Sequence, residues 1–149
     1  MNRFFLVVLT AMFLSGCATS GRIGELPIID NMAAGGKVVV VRTSNFIGAA
    51  NTDTVALDGK DLFYIRSGEH TDFVVPTGEH YIAVKCFGGW SPTWKEDSKK
   101  FAATASAVNY FKISPSMSCA DIVPFTVEEA NALLSSSKFI DLSKPASSD

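Results

Sequence analysis

Beyond residue 36, apolar side chains occur in short runs that are separated by turn residues. The runs are rich in Val, Ile, Phe and Tyr and are bounded by Gly, Pro, Asp and Ser, which is typical of β-strands. We predict about seven strands from these runs, with 119–125 as a further short candidate. The predicted strands are 37–42, 54–57, 61–66, 71–75, 81–86, 101–107 and 108–114.

Turn residues between the runs predict how the chain reverses direction. Asp58-Gly59 stands between the second and third runs, where glycine accepts the positive φ of a tight hairpin. The segments 67–70 and 77–80 are near-repeats, Ser-Gly-Glu-His and Thr-Gly-Glu-His, and Pro76 ends the apolar run that follows the first of them. Each repeat therefore predicts a turn followed by a strand.

One segment near the carboxyl end has the pattern of a helix. Thr126 and Glu129 have the S/T-x-x-E spacing of a capping box, in which two side chains reciprocally satisfy free backbone amides. Apolar residues then fall on one face of a short helix that we expect to end near Ser136. Many short strands with one late helix predict a mainly β domain over residues 37–142, an antiparallel β-sandwich.

Residues 1–16 have the parts of a bacterial secretory signal: a positively charged start, an apolar stretch from Phe4 to Leu14, and small residues before Cys17. The apolar stretch is shorter than the roughly 20 residues that cross a bilayer. Leu14-Ser15-Gly16-Cys17 resembles the lipobox of bacterial lipoproteins, which implies cleavage before Cys17 and lipidation of its sulfur. By the same resemblance, Ala18 implies export to the outer membrane, facing the periplasm. The alternative is an ordinary signal peptide with an incidental cysteine.

The segments that flank the predicted domain have a different composition. Small and polar residues dominate 17–36, which predicts a flexible tether that holds the domain roughly a few tens of ångströms from the membrane. Alternatively, Leu26-Pro27-Ile28-Ile29 packs on the domain as an edge segment. The tail 143–149 is predicted to be disordered.

Charge and cysteine content narrow the function classes. The full chain has a formal net charge of −2 and no basic stripe, so nucleic acid is not an expected partner. With Cys17 lipidated, Cys86 and Cys119 remain, and an even pair in an oxidising periplasm predicts a disulfide. A catalytic or metal-binding thiol would instead need a partner at short spacing such as C-x-x-C, which the sequence lacks.

The residue pattern gives little support to catalysis. His70 and His80 are the only histidines, and a metal site would require them to converge with further ligands. Polar residues at strand entries are the plainer interpretation. The sequence has no nucleophile elbow, H-E-x-x-H zinc motif or phosphate-binding glycine loop. We therefore expect a protein that is not an enzyme and uses no metal or cofactor.

Two loops carry large aromatic residues. We expect Phe46 and Ile47 to cover the core from the first of these loops. The second loop, 88–100, carries Trp90 and Trp94, which are candidates for binding a partner because indoles are costly to expose and useful at interfaces. Alternatively, this loop folds over the sandwich and both indoles cap the core.

Several of these motifs together resemble a bacterial lipoprotein family known as domain of unknown function 2846, which is similar to the small PEGA-type sandwich modules. The most specific matches are Leu57-Asp58-Gly59-Lys60 and the Pro76-x-Gly78-x-His80 turn. The resemblance covers most of residues 37–142. It implies an immunoglobulin-like or PEGA-like sandwich on a lipid anchor, and it implies no known reaction.

Two functional hypotheses follow. The first is a non-catalytic lipoprotein of the cell envelope that binds an envelope protein or peptidoglycan through its sheet surface and tryptophan loop. The second is a periplasmic ligand-binding or hydrolytic domain that uses His70 and His80.

Overall fold

The computed structural model describes residues 19–46, 48–88, 93–116 and 119–146 of the chain. Within these residues the protein is mainly β, with ten strands, one α-helix and one short 3-10 turn. The strands are β1 (Gly21–Arg22), β2 (Gly36–Arg42), β3 (Thr52–Leu57), β4 (Lys60–Arg66), β5 (Glu69–Val75), β6 (Gly78–Gly88), β7 (Thr93–Ala103), β8 (Val108–Pro115), β9 (Ala120–Pro124) and β10 (Lys138–Phe139). The 3-10 turn is Met32–Ala34 and helix α1 is Val127–Ser136.

The strands form two five-stranded sheets. Sheet A has the order β1-β4-β3-β6-β7, and its pairs are antiparallel. Sheet B has the order β10-β5-β2-β8-β9, in which β2 runs parallel to β8 and β10 runs parallel to β5. The prediction of a mainly β fold with one late helix is confirmed. The prediction of about seven antiparallel strands is wrong, because the described residues form ten strands and sheet B is mixed.

The strands that the pattern misses have no readable apolar alternation. β1 and β10 have two residues each, which is too short for any period to register. The segment 93–100, which we predict as a loop, is instead the first part of β7 and is almost entirely polar or charged. It lies at the edge of sheet A, where charged side chains are common because they discourage pairing with other chains.

The hydrophobic core lies between the two sheets. Alternate residues of the paired strands point into it and are almost completely buried. Two ring pairs connect the sheets directly, Phe63 with Phe73 at 5.8 Å and Phe101 with Phe111 at 5.1 Å between centroids. Both sheets therefore contribute their inner faces to a single core.

Helix α1 crosses the outer face of sheet B, because it connects β9 at one edge of that sheet to β10 at the other. The outward residues of the central strand β2, Val39 and Val41, are buried, and Ala130 of the helix is also buried. Thr126 and Glu129 form the predicted capping box. β2 contains four consecutive valines because its middle is covered on both faces.

The core has two ends, which we name after residues that lie there. At the Arg42 end, β2, β4, β6 and β8 end and β3, β5, β7 and β9 begin, and Arg42 pairs in register with Glu69 and Ile113. At the His80 end lie the β3–β4 turn at Asp58 and the start of β6. The two ends of the core are therefore closed by different loops and turns.

Polar groups close the Arg42 end. The guanidinium of Arg42 is buried, pairs with Asp53 at 2.6 Å, and donates to the carbonyl oxygens of Asn51 at 2.6 Å and Gly48 at 3.0 Å. These bonds draw the loop backbone over the core and leave the Phe46 side chain 97% exposed. The prediction that Phe46 covers the core is therefore wrong, because the side chain of Arg42 closes this end of the core instead.

The described part of the predicted tether lies on the domain. β1 pairs with β4, the hydroxyl of Ser20 donates to the carboxylate of Glu69 at 2.8 Å, and Leu26 packs against the core. The alternative that 26–29 packs as an edge segment is met only in part, because the edge strand is Gly21–Arg22 and Ile28 is 87% exposed. Of the tail that we predict to be disordered, the described residues 143–146 instead reach β1, where the amide of Ala146 donates to the carbonyl oxygen of Arg22 at 2.8 Å.

Candidate functional site

The outer face of sheet A is not covered by any helix within the described residues. Side chains that alternate with core residues point outward on this face. Thr54 is the register partner of both Tyr64 in β4 and Lys85 in β6, and Lys85 is opposite Glu96 in β7. The register therefore places four polar side chains in one row across four strands.

An exposed aromatic pair lies at the Arg42 end of this face. Trp94 is 68% exposed and Phe87 is 53% exposed, and their ring centroids are 5.5 Å apart. Phe87 follows the core residue Cys86 and so points outward, and its register partner Trp94 points the same way. The alternative in which Trp94 caps the core is therefore wrong.

The row of polar side chains and Trp94 line a shallow cleft of about 540 Å³. The amine of Lys85 lies 2.7 Å from Asp61 Oδ1 and 3.9 Å from Glu96 Oε2, and the hydrogen bond to Asp61 raises the pKa of Lys85. The cleft thus offers an indole face, a phenol ring and an amine held between two carboxylates. It can hold a partner that has an apolar face with hydrogen-bonding groups around it. The lining residues are Thr54, Asp61, Tyr64, Lys85, Trp94, Lys95 and Glu96.

Sequence reasoning identified Trp94 and missed its neighbours. Tyr64 and Lys85 are each set between core residues of a strand, and this alternation was a readable sign that they face outward. Their convergence depends on the pairing of β3 with both β4 and β6, which no local pattern encodes.

The two histidines are not brought together. His70 is in β5 of sheet B at the Arg42 end, whereas His80 is in β6 of sheet A at the opposite end. His70 Nδ1 lies 2.7 Å from the hydroxyl of Ser137, and burial lowers the pKa of this histidine. Among the described residues, no group of three or more His, Cys, Asp or Glu side chains could hold a metal ion.

His80 joins two turns. Its Nδ1 lies 2.8 Å from Asp58 Oδ2 and its Nε2 lies 2.8 Å from the carbonyl oxygen of Pro76. Burial lowers the pKa of His80, but the hydrogen bonds to Asp58 and Pro76 outweigh this effect and raise it. Both partners are acceptors, so the protonated ring, with two N–H donors, satisfies both.

A second cleft, of about 580 Å³, lies at the His80 end against the segment 25–28. Its walls are largely aliphatic, and His80 is the only histidine among them. Because both ring nitrogens already have partners, His80 can act as a base or ligand only by breaking the turns that it joins. We therefore assign the two hydrogen bonds of His80 a structural role, which is to hold the two turns together.

The two remaining cysteines lie at disulfide distance. Cys86 in β6 and Cys119, directly before β9, are paired with their Cα atoms 5.9 Å apart, which is within the range that disulfides span. The pair connects sheet A to sheet B. The pair therefore holds the two sheets together, and Cys86 is the residue directly before the outward-facing Phe87.

Two of the predicted functional residues, Cys17 and Trp90, lie outside the described residues, and so does Ile47, which we expected to cover the core. The signal segment 1–16 also lies outside them. Within the described part of the chain, no helix is long and apolar enough to cross a bilayer. Comparison with protein-family models, with curated proteins and with solved structures finds no match to this chain.

Proposed function

We propose that this protein is a lipid-anchored, non-catalytic binding module of the bacterial cell envelope. In this proposal Cys17 carries the anchor in the outer membrane and the domain faces the periplasm. The lipobox pattern before Cys17 supports the anchor. The resemblance to the lipoprotein family known as domain of unknown function 2846 supports an immunoglobulin-like or PEGA-like sandwich.

The exposed pair of Trp94 and Phe87 is the observation that carries the binding role. Large aromatic side chains concentrate at interfaces because they bury much apolar area with little loss of conformational entropy. A water-exposed pair at 5.5 Å beside a polar cleft is therefore a surface that gains free energy when a partner covers it. The partner is an envelope protein or the glycan of peptidoglycan, since sugar rings also stack on indoles.

The histidine-based alternative, a ligand-binding or hydrolytic domain, has less support. His70 and His80 lie in different sheets and at opposite ends of the core, so they cannot share one ligand. His80 is already engaged through both ring nitrogens. A titration with divalent metals that shifts the imidazole resonances of either histidine would favour this alternative.

Photo-crosslinking in the intact envelope tests the binding role. A photoreactive residue at position 94 should form an adduct, while the same residue at position 127, on the exposed side of α1, should not. A protein partner would give a discrete larger species. A glycan partner would give insoluble material that muramidase digestion releases.

A double variant provides the second arm of this experiment. Trp90→Ala with Trp94→Ala should lose the captured partner while the thermal unfolding transition stays unchanged, because Trp94 contributes little to the core. If the double variant keeps both its fold and every co-purifying partner, the proposed binding surface is wrong.

A further inference from the structure

We propose that the Arg42 end of the domain lies on the lipid surface that holds the anchor, with Phe46 inserted among the lipid headgroups. The inference rests on the proposed lipidation of Cys17, and it adds an orientation and a second membrane contact that lipidation alone does not specify. Three independent observations support it.

The first observation is where the chain joins the domain. Ser20 is held at the Arg42 end by its hydrogen bond to Glu69, and β1 begins at the next residue. Only three residue steps separate Cys17 from Ser20, and an extended chain spans at most about 3.6 Å per residue. The lipidated residue therefore lies within about 11 Å of the Arg42 end. A domain held this closely rests on the membrane instead of extending away from it.

The second observation is the position of Phe46. Its side chain is 97% exposed, yet the backbone on both sides of it is fixed. The amide of Asn45 donates to the hydroxyl of Ser67 at 3.2 Å, and Arg42 binds the carbonyl oxygen of Gly48. The protein therefore presents a phenyl ring on a constrained loop at the end where the anchor enters. A phenyl ring gains free energy when it moves from water into the boundary between headgroups and acyl chains, in proportion to the apolar area removed from water.

The third observation is the distribution of charge among the connections. In sequence, the loop 43–51 that carries Phe46 contains no charged residue, whereas Lys138 and Lys144 lie beside Ser20 at the same end. The connections at the His80 end contain Glu25, Asp30 and Asp58. Moving a charged side chain into the boundary between headgroups and acyl chains is costly, so the uncharged loop is the part of this end that can enter a bilayer. Phe87 and Trp94 lie at this same end and extend the apolar rim.

A pair of single-tryptophan variants tests the orientation. In a Trp90→Phe, Trp94→Phe background, Phe46→Trp places a reporter at the Arg42 end and Ile28→Trp places one near the His80 end, where Ile28 is 87% exposed. The lipidated full-length mature proteins are reconstituted into phosphatidylcholine vesicles with and without brominated acyl chains. The tryptophan at position 46 should show blue-shifted emission and severalfold stronger quenching than the tryptophan at position 28.

Flotation of the vesicles separates the outcomes. If the protein floats with the vesicles but both reporters emit as in water, the orientation is wrong and the anchor stands. If the protein does not float, the anchor and this inference both fail. If position 46 is shielded only in native envelope membranes, its occupant is a protein and the lipid contact is wrong. Circular dichroism of both variants checks the fold, which an exposed substitution should leave intact.

Discussion

Arg42 determines how one end of this domain is closed. Its guanidinium is buried between the sheets, in an ion pair with Asp53 and in hydrogen bonds to two loop carbonyl oxygens. Burial raises the pKa of Asp53 to about 6, although Arg42 acts to lower it. A charge pair in this position is costly to break, because either partner alone would be a buried charge without compensation.

Replacing one member of this pair should therefore destabilise the fold strongly. We expect Asp53→Asn to reduce the free energy of unfolding at pH 7 by roughly 3–5 kcal/mol. Asp72→Asn provides the control, since its ion pair with Lys37 at 3.0 Å is largely exposed to solvent. The control should change stability by about 1 kcal/mol or less. Urea unfolding of both variants measures the difference, and similar values for the two would contradict the structural role of Asp53.

The two histidines should give pH dependences of opposite sign. The folded-state pKa of His80 is raised, so its stabilisation is complete below the unfolded pKa near 6.5 and is lost as pH rises through the folded pKa. The folded-state pKa of His70 is lowered, so its contribution is present above about 6.5 and is lost as pH falls.

Unfolding experiments from pH 5 to pH 8 test this difference. The stability lost in His80→Asn should be largest at pH 5 and should shrink toward pH 8. The stability lost in His70→Asn should follow the reverse trend. Parallel pH profiles for the two variants would show that the histidine environments described above are wrong.

Among the elements, the β6–β7 hairpin connects the two sheets. It carries Cys86, which pairs with Cys119 beside sheet B. The carboxylate of Asp97 in β7 also accepts a hydrogen bond from the amide of Ile122 in β9 at 2.9 Å. The Asp97 contact satisfies a free amide at the edge of sheet B. The hairpin therefore links the layers by one covalent and one polar contact, while its outer side carries the exposed aromatic pair.

Removing the cysteine pair should destabilise the domain without changing its shape. A loop of 33 residues corresponds to about 3–4 kcal/mol in the chain-entropy model of disulfides. We expect Cys86→Ser with Cys119→Ser to lose roughly that free energy of unfolding. A reductant should destabilise the wild-type protein by a similar amount and leave the double variant unchanged. A wild-type protein that is insensitive to reductant would indicate that the bridge does not form.

For the whole molecule, the proposals combine into one arrangement. In this proposed arrangement the Arg42 end would lie on the membrane, and the open face of sheet A would rise from it with the aromatic pair nearest the lipid. α1 covers the opposite layer, so only one face of the sandwich is available for a partner among the described residues. A partner would therefore meet the protein close to the membrane surface.

The anchor itself can be tested on the whole protein. Each buried methylene contributes about 0.8 kcal/mol to membrane affinity, so two or three long chains make release negligible. We expect Cys17→Ser to abolish acylation and cleavage, as measured by mass spectrometry of the amino terminus. The double variant of Cys86 and Cys119 is the control and should stay acylated. Unchanged processing and location of Cys17→Ser would contradict the lipoprotein assignment.

The features that sequence alone determined are those encoded by neighbouring residues. Apolar runs bounded by turns defined most strands, and the Thr126 capping box defined the start of α1, because alternation and capping depend on residues a few positions apart. The cysteine pair followed from counting. Trp94 was a candidate because of its residue type. All of these are local or compositional properties.

Tertiary structure decided everything that depends on distant residues. The pairing of β2 with β8 joins segments about 70 positions apart, and it made sheet B mixed. The burial of Arg42 and the exposure of Phe46 reversed a prediction that hydrophobicity alone supported. The row from Tyr64 to Glu96 exists only through strand register. Register is set by packing between sheets, and such non-local free energies leave no mark in a short stretch of sequence.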